Sequence, residues 1–254
     1  MTINSWGSDD PVEVAKGGLG ASSHTDGSVL FGSGTSAVTN SGLLAKGSIL
    51  VGDGTSDPTS LAVGTDDYIL TTDSGETSGL KYKIPYPIWI SQINTAGTPV
   101  SEMVFSGLDS TYSTYLFTVH NISPTTDGSN FFIRTSTDGI TYDSTAGDYR
   151  YQFYDGGTDR GNSSTTTIKI GQSLGNVAGE TLYGYLSVHK PGTTDRTNIT
   201  YKLYTVNSSS SPRATFGGGN RTAAETTEWI KFYPASGNFY GIVTMYGLVT
   251  ETQP

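Results

Sequence analysis

Residues 27–40 read GSVLFGSGTSAVTN and residues 47–60 read GSILVGDGTSDPTS, so one short unit returns after 20 residues. In each copy a three-residue apolar run, Val29-Leu30-Phe31 or Ile49-Leu50-Val51, leads into a Gly-x-Gly-Thr-Ser turn, Gly32 to Ser36 or Gly52 to Ser56. A looser third copy follows at the same offset, where Tyr68-Ile69-Leu70 precedes Thr72-Asp73-Ser74-Gly75. A unit of this size has too few apolar side chains to offset the conformational entropy of ordering it, so it must stack on neighbours or on other chains. Residues 27–84 are therefore expected to form an extended Gly-rich repeat stalk, ordered by association with identical chains or by docking on a larger particle. Its contact residues would be Val29, Leu30, Phe31, Ile49, Leu50, Val51, Ile69 and Leu70.

Outward from the repeats on the C-terminal side, a boundary falls at Ile84-Pro85-Tyr86-Pro87, where two prolines restrict the chain and remove two backbone donors. Beyond it the texture changes. β-Branched and aromatic runs of strand length occupy 88–93, 102–105, 115–121, 130–135, 149–154, 166–170, 182–188, 199–206, 228–233 and 239–249, divided by Gly/Asp/Ser/Thr turns. Many alternate: Ile199, Tyr201 and Leu203 share one face while Thr200, Lys202 and Tyr204 share the other. Strands at this spacing predict an all-β chain in which residues 85–254 form a head of two packed antiparallel sheets, jelly-roll-like in its winding. The last run, Phe239 to Val249, is apolar on both faces, as suits a central strand or one that meets another subunit, and Gly241 and Gly247 leave gaps for a neighbour. Gly217-Gly-Gly-Asn-Arg221 reads as a flexible loop between strands, because it lacks the Lys-Ser/Thr of a phosphate loop.

On the N-terminal side, residues 1–26 hold Gly, Ser and Asp with one Trp and read as an extended arm. Trp6, Val12 and Val14 are its candidate docking residues. The arm opens Met1-Thr-Ile-Asn-Ser-Trp-Gly, without the basic and apolar segments of a secretory signal, and no apolar stretch approaches the roughly 20 residues of a membrane span. Neither secretion through such a signal nor membrane insertion is expected.

With 14 Lys plus Arg against 23 Asp plus Glu, the net charge is −9 and no basic run occurs, which argues against binding a nucleic-acid backbone. Cysteine is absent, so disulfides and thiolate zinc sites are excluded. A Ser-based triad would need a histidine, but His24 lies in the arm and His120 and His189 sit inside strand-like runs far from any Gly-x-Ser-x-Gly elbow. The carboxylate pairs Asp143 with Asp148 and Asp155 with Asp159 lie in Gly/Ser/Thr stretches where Asp caps turns. Asp53 to Asp57 and Asp66-Asp67 offer oxygen ligands without matching a calcium loop. No catalytic, cofactor-binding or metal-binding residue is assigned, and the chain is expected not to be an enzyme. Flat aromatic faces edged by hydroxyls suit sugar rings, which makes Tyr149, Tyr151, Tyr154, Tyr183 and Tyr185 candidate glycan-facing residues.

One longer pattern resembles a known family. Gly47-Ser-Ile-Leu-Val-Gly-Asp-Gly-Thr-Ser, then Leu61-Ala-Val-Gly-Thr-Asp-Asp-Tyr-Ile-Leu-Thr-Thr-Asp-Ser and Gly79-Leu-Lys-Tyr, resembles a module of tailed-bacteriophage fibre proteins. Upstream, Lys16-Gly-Gly-Leu-Gly is similar to the element that often precedes it, departing at Leu19 where Thr is usual. The resemblance spans residues 16–83, and residues 85–254 resemble, in style, the β-sandwich heads of such fibres. It implies a virion protein that forms an intertwined homotrimer, attaches to other virion proteins through its N-terminal arm and turns its head outward. On that basis the head would contact the host surface through a glycan. The alternative is a capsid decoration, cement or head-fibre protein without receptor binding. An enzyme that degrades capsular polysaccharide is the third reading, for which the chain lacks the length of a carboxylate-lined solenoid.

Overall fold

A computed structural model of the protein describes residues 18–21, 23–52, 54–95 and 97–248. The docking candidates Trp6, Val12 and Val14 lie outside these residues, as do Lys16, Gly17, Asp53 and Val249. All regular structure among the described residues is strand, and every pairing is antiparallel. The chain divides into two units between Pro85 and Tyr86, at the paired prolines.

Each sequence repeat in the first unit is one β-hairpin. The pairs are β1 (Leu30–Phe31) with β2 (Thr39–Asn40), β3 (Ile49–Val51) with β4 (Thr59–Leu61), and β5 (Ile69–Thr72) with β6 (Leu80–Lys83). Seven residues separate the strands in all three, which places the Gly-x-Gly-Thr-Ser motif between them in the first two and Asp73-Ser74-Gly75 in the third. A β-turn precedes each hairpin, closed by Ser28, Ser48 and Tyr68 N–H donating to Thr25, Ala45 and Thr65 C=O at 3.0–3.1 Å. The third residue of these turns is left-handed at Gly27 (φ 71°), Gly47 (φ 80°) and Asp67 (φ 68°). The degenerate copy thus keeps the turn although its glycine has become Asp, one of the few side chains tolerated there. A two-stranded hairpin has nothing to cover its apolar side, and the consequence is visible. Val29, Leu30, Ile49, Ile69 and Leu70 are exposed, Phe31 and Leu50 half-buried, and only Val51 is buried.

The second unit holds twelve strands: β7 (Ile88–Asn94), β8 (Met103–Ser106), β9 (Thr114–Pro124), β10 (Ser129–Ser136), β11 (Tyr149–Asp155), β12 (Thr158–Thr165), β13 (Ile168–Leu174), β14 (Leu182–His189), β15 (Asn198–Val206), β16 (Pro212–Arg221), β17 (Trp229–Pro234) and β18 (Phe239–Leu248). Four form one sheet in the order β13-β10-β17-β8, and eight form the other in the order β12-β11-β16-β15-β14-β9-β18-β7. Their inner faces meet in one core. Phe117 of the large sheet packs against Phe105 and Phe232 of the small one at ring-centroid distances of 5.3 and 5.5 Å, and Phe131 packs edge-on against Phe239 at 5.0 Å. This is a β-sandwich, as the alternating runs predict.

All ten expected runs are strands, and β12 and β16 are additional. β12 (TDRGNSST) escapes a hydrophobic reading because it is an edge strand with almost every residue exposed. β16 corrects the flexible-loop expectation for Gly217-Gly218-Gly219, which sit mid-strand, paired to β11 on one side and β15 on the other. Their lack of side chains is steric in origin. A Cβ on Gly217 would lie 2.4 Å from that of Phe153, and one on Gly219 would lie 3.0 Å from Ile168 Cδ1. Glycine lets these core residues press against the strand backbone. The gaps expected at β18 are occupied likewise: Ile122 fills the space at Gly241 and the Tyr112 ring that at Gly247.

Candidate functional site

The outer face of the large sheet is built by simple alternation. In β11, Tyr149, Tyr151, Phe153 and Asp155 point inward and Arg150, Gln152 and Tyr154 outward; in β14, Leu182 and Leu186 point inward and Tyr183 and Tyr185 outward. β15 buries Ile199, Tyr201 and Leu203 and turns Thr200, Lys202 and Tyr204 out, the division that its sequence predicts. β16 buries Thr215 and presents Phe216.

Strand register assembles these outward residues into rows. One row runs Asp159, Tyr154, Phe216, Lys202, Tyr185, Thr118 across six strands, and the next places Tyr183, Tyr204 and Ala214 side by side. Tyr154 and Phe216 stack with ring centroids 4.9 Å apart and planes 22° apart. The Tyr183 hydroxyl donates to Asn121 Oδ1, which holds that ring at the edge of the platform. Tyr185, Tyr204 and Phe216 are each 47–49% exposed, so these large rings present their faces to solvent rather than to a core. Between them lies an open groove of about 380 Å³ lined by Tyr183, Tyr185, Lys202, Tyr204, Ala214 and Phe216.

A second groove, of about 620 Å³, lies alongside. The row through it reads Gly161, Gln152, Gly218, Thr200, so Gln152 is flanked on both sides by glycine. Its floor is therefore peptide backbone, and Arg150, Asn162 and Asn220 join Gln152 as hydrogen-bonding walls. Asp159 and Arg160 also border this trough, and a hydrophobic platform beside such a polar trough can stack against the apolar face of a ring while bonding its hydroxyls.

Of the five tyrosines singled out in the sequence, three stand on this face: Tyr154, Tyr183 and Tyr185. Tyr149 does not. It is fully buried, its hydroxyl accepts the Thr135 N–H at 2.8 Å, and burial pushes its phenol pKa up. Tyr151 also points inward, half-buried beside Phe153, so these two candidates are corrected. The physical reason is parity, since residues 149 and 151 share a face that residue 154 cannot. Tyr204 and Phe216 complete the platform and were missed. The alternation of β15 already placed Tyr204 with Lys202, whereas Phe216 was hidden by the unrecognised strand β16.

Most of the carboxylates and histidines weighed in the sequence are engaged in the fold. Arg221 Nη2 donates to Asp143 at 3.1 Å, and burial nonetheless raises the Asp143 pKa. Asp148 accepts the Thr145 N–H at 2.6 Å as a turn cap. Asp155 is buried on the inner face, bonded to Arg213 at 2.8 Å and Thr215 at 3.2 Å, while Asp159 is exposed on the outer face, so the two form no cleavage pair. Asp57 accepts the Thr39 hydroxyl, and among the described residues no group of three His, Asp or Glu could hold a metal ion. His189 lies between the Thr114 and Thr200 hydroxyls, each 3.1 Å from a ring nitrogen. Compared with known proteins, the chain matches no protein-family model and no curated protein.

Proposed function

We propose that this chain is a structural fibre protein of a tailed-phage virion, whose hairpin repeats form a stalk with copies of itself and whose head binds a host-surface glycan. The observation that carries the binding part is the platform of Tyr154, Phe216, Tyr185, Tyr183 and Tyr204, all more than a third exposed on one rigid sheet face. Sugar rings stack on such faces, and a stalk that gathers three heads multiplies weak contacts through effective concentration. The stalk part is supported by the sparse burial in the first unit: among its described residues nine large hydrophobics are exposed and one is buried. The reading assigns the chain no catalytic residue and no cofactor.

The strand order supports a jelly-roll reading of the head. Without the β14–β15 hairpin and the strands β7 and β18, the sheets become β8-β17-β10-β13 and β9-β16-β11-β12. That is the interleaving of two Greek keys, with the β14–β15 hairpin inserted into one sheet. The insertion supplies Tyr183, Tyr185, Lys202 and Tyr204, so an addition to the sandwich carries most of the platform. The sparsely buried repeats also favour a second reading, a capsid decoration protein whose repeats order on the particle.

Adsorption tests the proposal. Excess purified protein is expected to bind host cells and slow infection, and the Tyr185→Ala, Phe216→Ala double variant to lose both effects. Wild-type protein that does neither sinks receptor binding, and antibody label found on the capsid shell rather than at a fibre moves the chain to the decoration reading.

A further inference from the structure

The chain carries a net charge of −9, yet the large sheet turns almost none of its acids outward. In the seven strands from β11 to β7 the only carboxylate is Asp155, which is buried against Arg213. Two cations stand on the outer face of those strands, Arg150 and Lys202, both exposed and neither in an ion pair with a described residue. The other arginines nearby are occupied: Arg213 and Arg160 face Asp155, and Arg221 faces Asp143. Asp159, on the edge strand beside Tyr154, is the outward acid of β12 and borders the trough that holds Arg150, and at the loop joining β14 to β15 Lys190 and Asp195 neutralise one another at 2.8 Å.

The placement of the two free cations is selective. Lys202 occupies the centre of the platform, between Phe216 and Tyr185, and Arg150 stands in the polar trough across from Asn220. Four residues along the strand and two strands across separate them, roughly 16 Å at ordinary sheet spacings. In an otherwise acidic molecule a sheet face with Lys202 at the centre of its aromatic platform, Arg150 in the adjoining trough and, on its described strands, the single outward acid Asp159 at the edge of that trough is complementary to negative charge.

We infer that the ligand of this face is an anionic oligosaccharide, whose rings stack on Tyr185 and Phe216 and whose acidic groups pair with Lys202 and Arg150. This rests on the glycan-binding reading above and specifies the chemistry of its ligand. Uronate carboxylates and sugar phosphates share the required charge. Arg150 suits either through its planar fork, and Lys202 meets either as a point charge.

The test is an array of bacterial surface oligosaccharides probed with the purified full-length chain. Each uronic-acid member is printed beside its carboxyl-reduced form, and each phosphate-bearing member beside its dephosphorylated form. The anionic form is expected to bind about tenfold or more tightly than its neutral twin, as one or two charge-assisted contacts provide. Added salt should shrink that preference. Lys202→Gln and Arg150→Gln are each expected to remove most of the preference, and Tyr185→Ala to weaken both forms equally. All three positions are exposed, and unchanged thermal unfolding of each variant excludes misfolding as the cause. Equal binding of charged and neutral twins, or a preference untouched by Lys202→Gln and Arg150→Gln, overturns the anionic ligand and leaves glycan binding standing. Binding to no oligosaccharide of either kind overturns both.

Discussion

The repeat unit and the head are made from the same element, the antiparallel strand pair, and end in opposite states of burial. In the head, twelve strands stack as two sheets and enclose 25 of the 26 buried hydrophobic residues among those described. In the repeat unit, three hairpins of two to four residues per strand enclose one, Val51. Pairing strands satisfies backbone hydrogen bonds in both units, whereas only layering removes apolar surface from water, so local hydrogen bonding and global stability part company along this chain. Leu30 and Phe117 are both strand hydrophobics, one 41% and the other 0% exposed, and the difference lies in what the fold sets opposite them.

The sharpest way to break this comparison is to cut the chain at its boundary. A fragment beginning at Pro85 is expected to unfold cooperatively in urea with the full-length transition. A fragment of residues 1–84 at low concentration should show no lasting amide protection in hydrogen exchange, gaining it only as concentration drives association. Lasting protection in a monomeric 1–84 fragment would mean that the hairpins stabilise themselves and that their exposed residues need no partner.

Next in size are truncations at matched positions. Phe117→Ala should cost the head about 3–5 kcal/mol in equilibrium unfolding, because the ring it removes packs between Phe105 and Phe232. Leu30→Ala should leave head stability within about 0.5 kcal/mol and reduce only the self-association of the full chain, read by sedimentation. A smaller effect separates the two kinds of tyrosine on β11. Tyr149→Phe strands the buried Thr135 N–H and should cost about 1–3 kcal/mol, while the outward Tyr154→Phe should be nearly neutral.

The smallest expected effect is a pH dependence. Burial holds the His189 imidazole below its ordinary pKa of 6.5, so the unfolded chain takes up this proton first as pH falls. Its contribution to stability is complete above about pH 6.5, declines as pH drops below that value, and levels off beneath the folded pKa. Urea unfolding across this range should show the slope, and His189→Gln should flatten it. An unchanged slope in the variant would assign it to another group.

Much of this architecture can be read before any coordinate is known. The 20-residue offset between Leu30 and Leu50 marks the repeats, and Pro85 and Pro87 mark the boundary. Alternation in Ile199 to Tyr204 separates core from surface correctly. The third repeat shows how far such reading carries, since its Asp67 hides a turn that Gly27 and Gly47 advertise.

What the sequence by itself determined is therefore local and periodic: strand period, turn chemistry, repeat length and the lack of helix among the described residues. Only the tertiary structure decided which side of each strand is buried and which distant residues share a surface. Tyr149 and Tyr154 are equivalent as residues and differ because β10 and β13 cover one side of their strand while solvent covers the other. Phe216 joins Tyr154 because β16 pairs with β11 across some 60 residues of chain, and Gly217 to Gly219 become a strand because inward side chains from β11 and β13 fill the space above them. Alternation defines two faces, but the free energy that chooses between them comes from apolar area contributed by other strands, and no local stretch contains it.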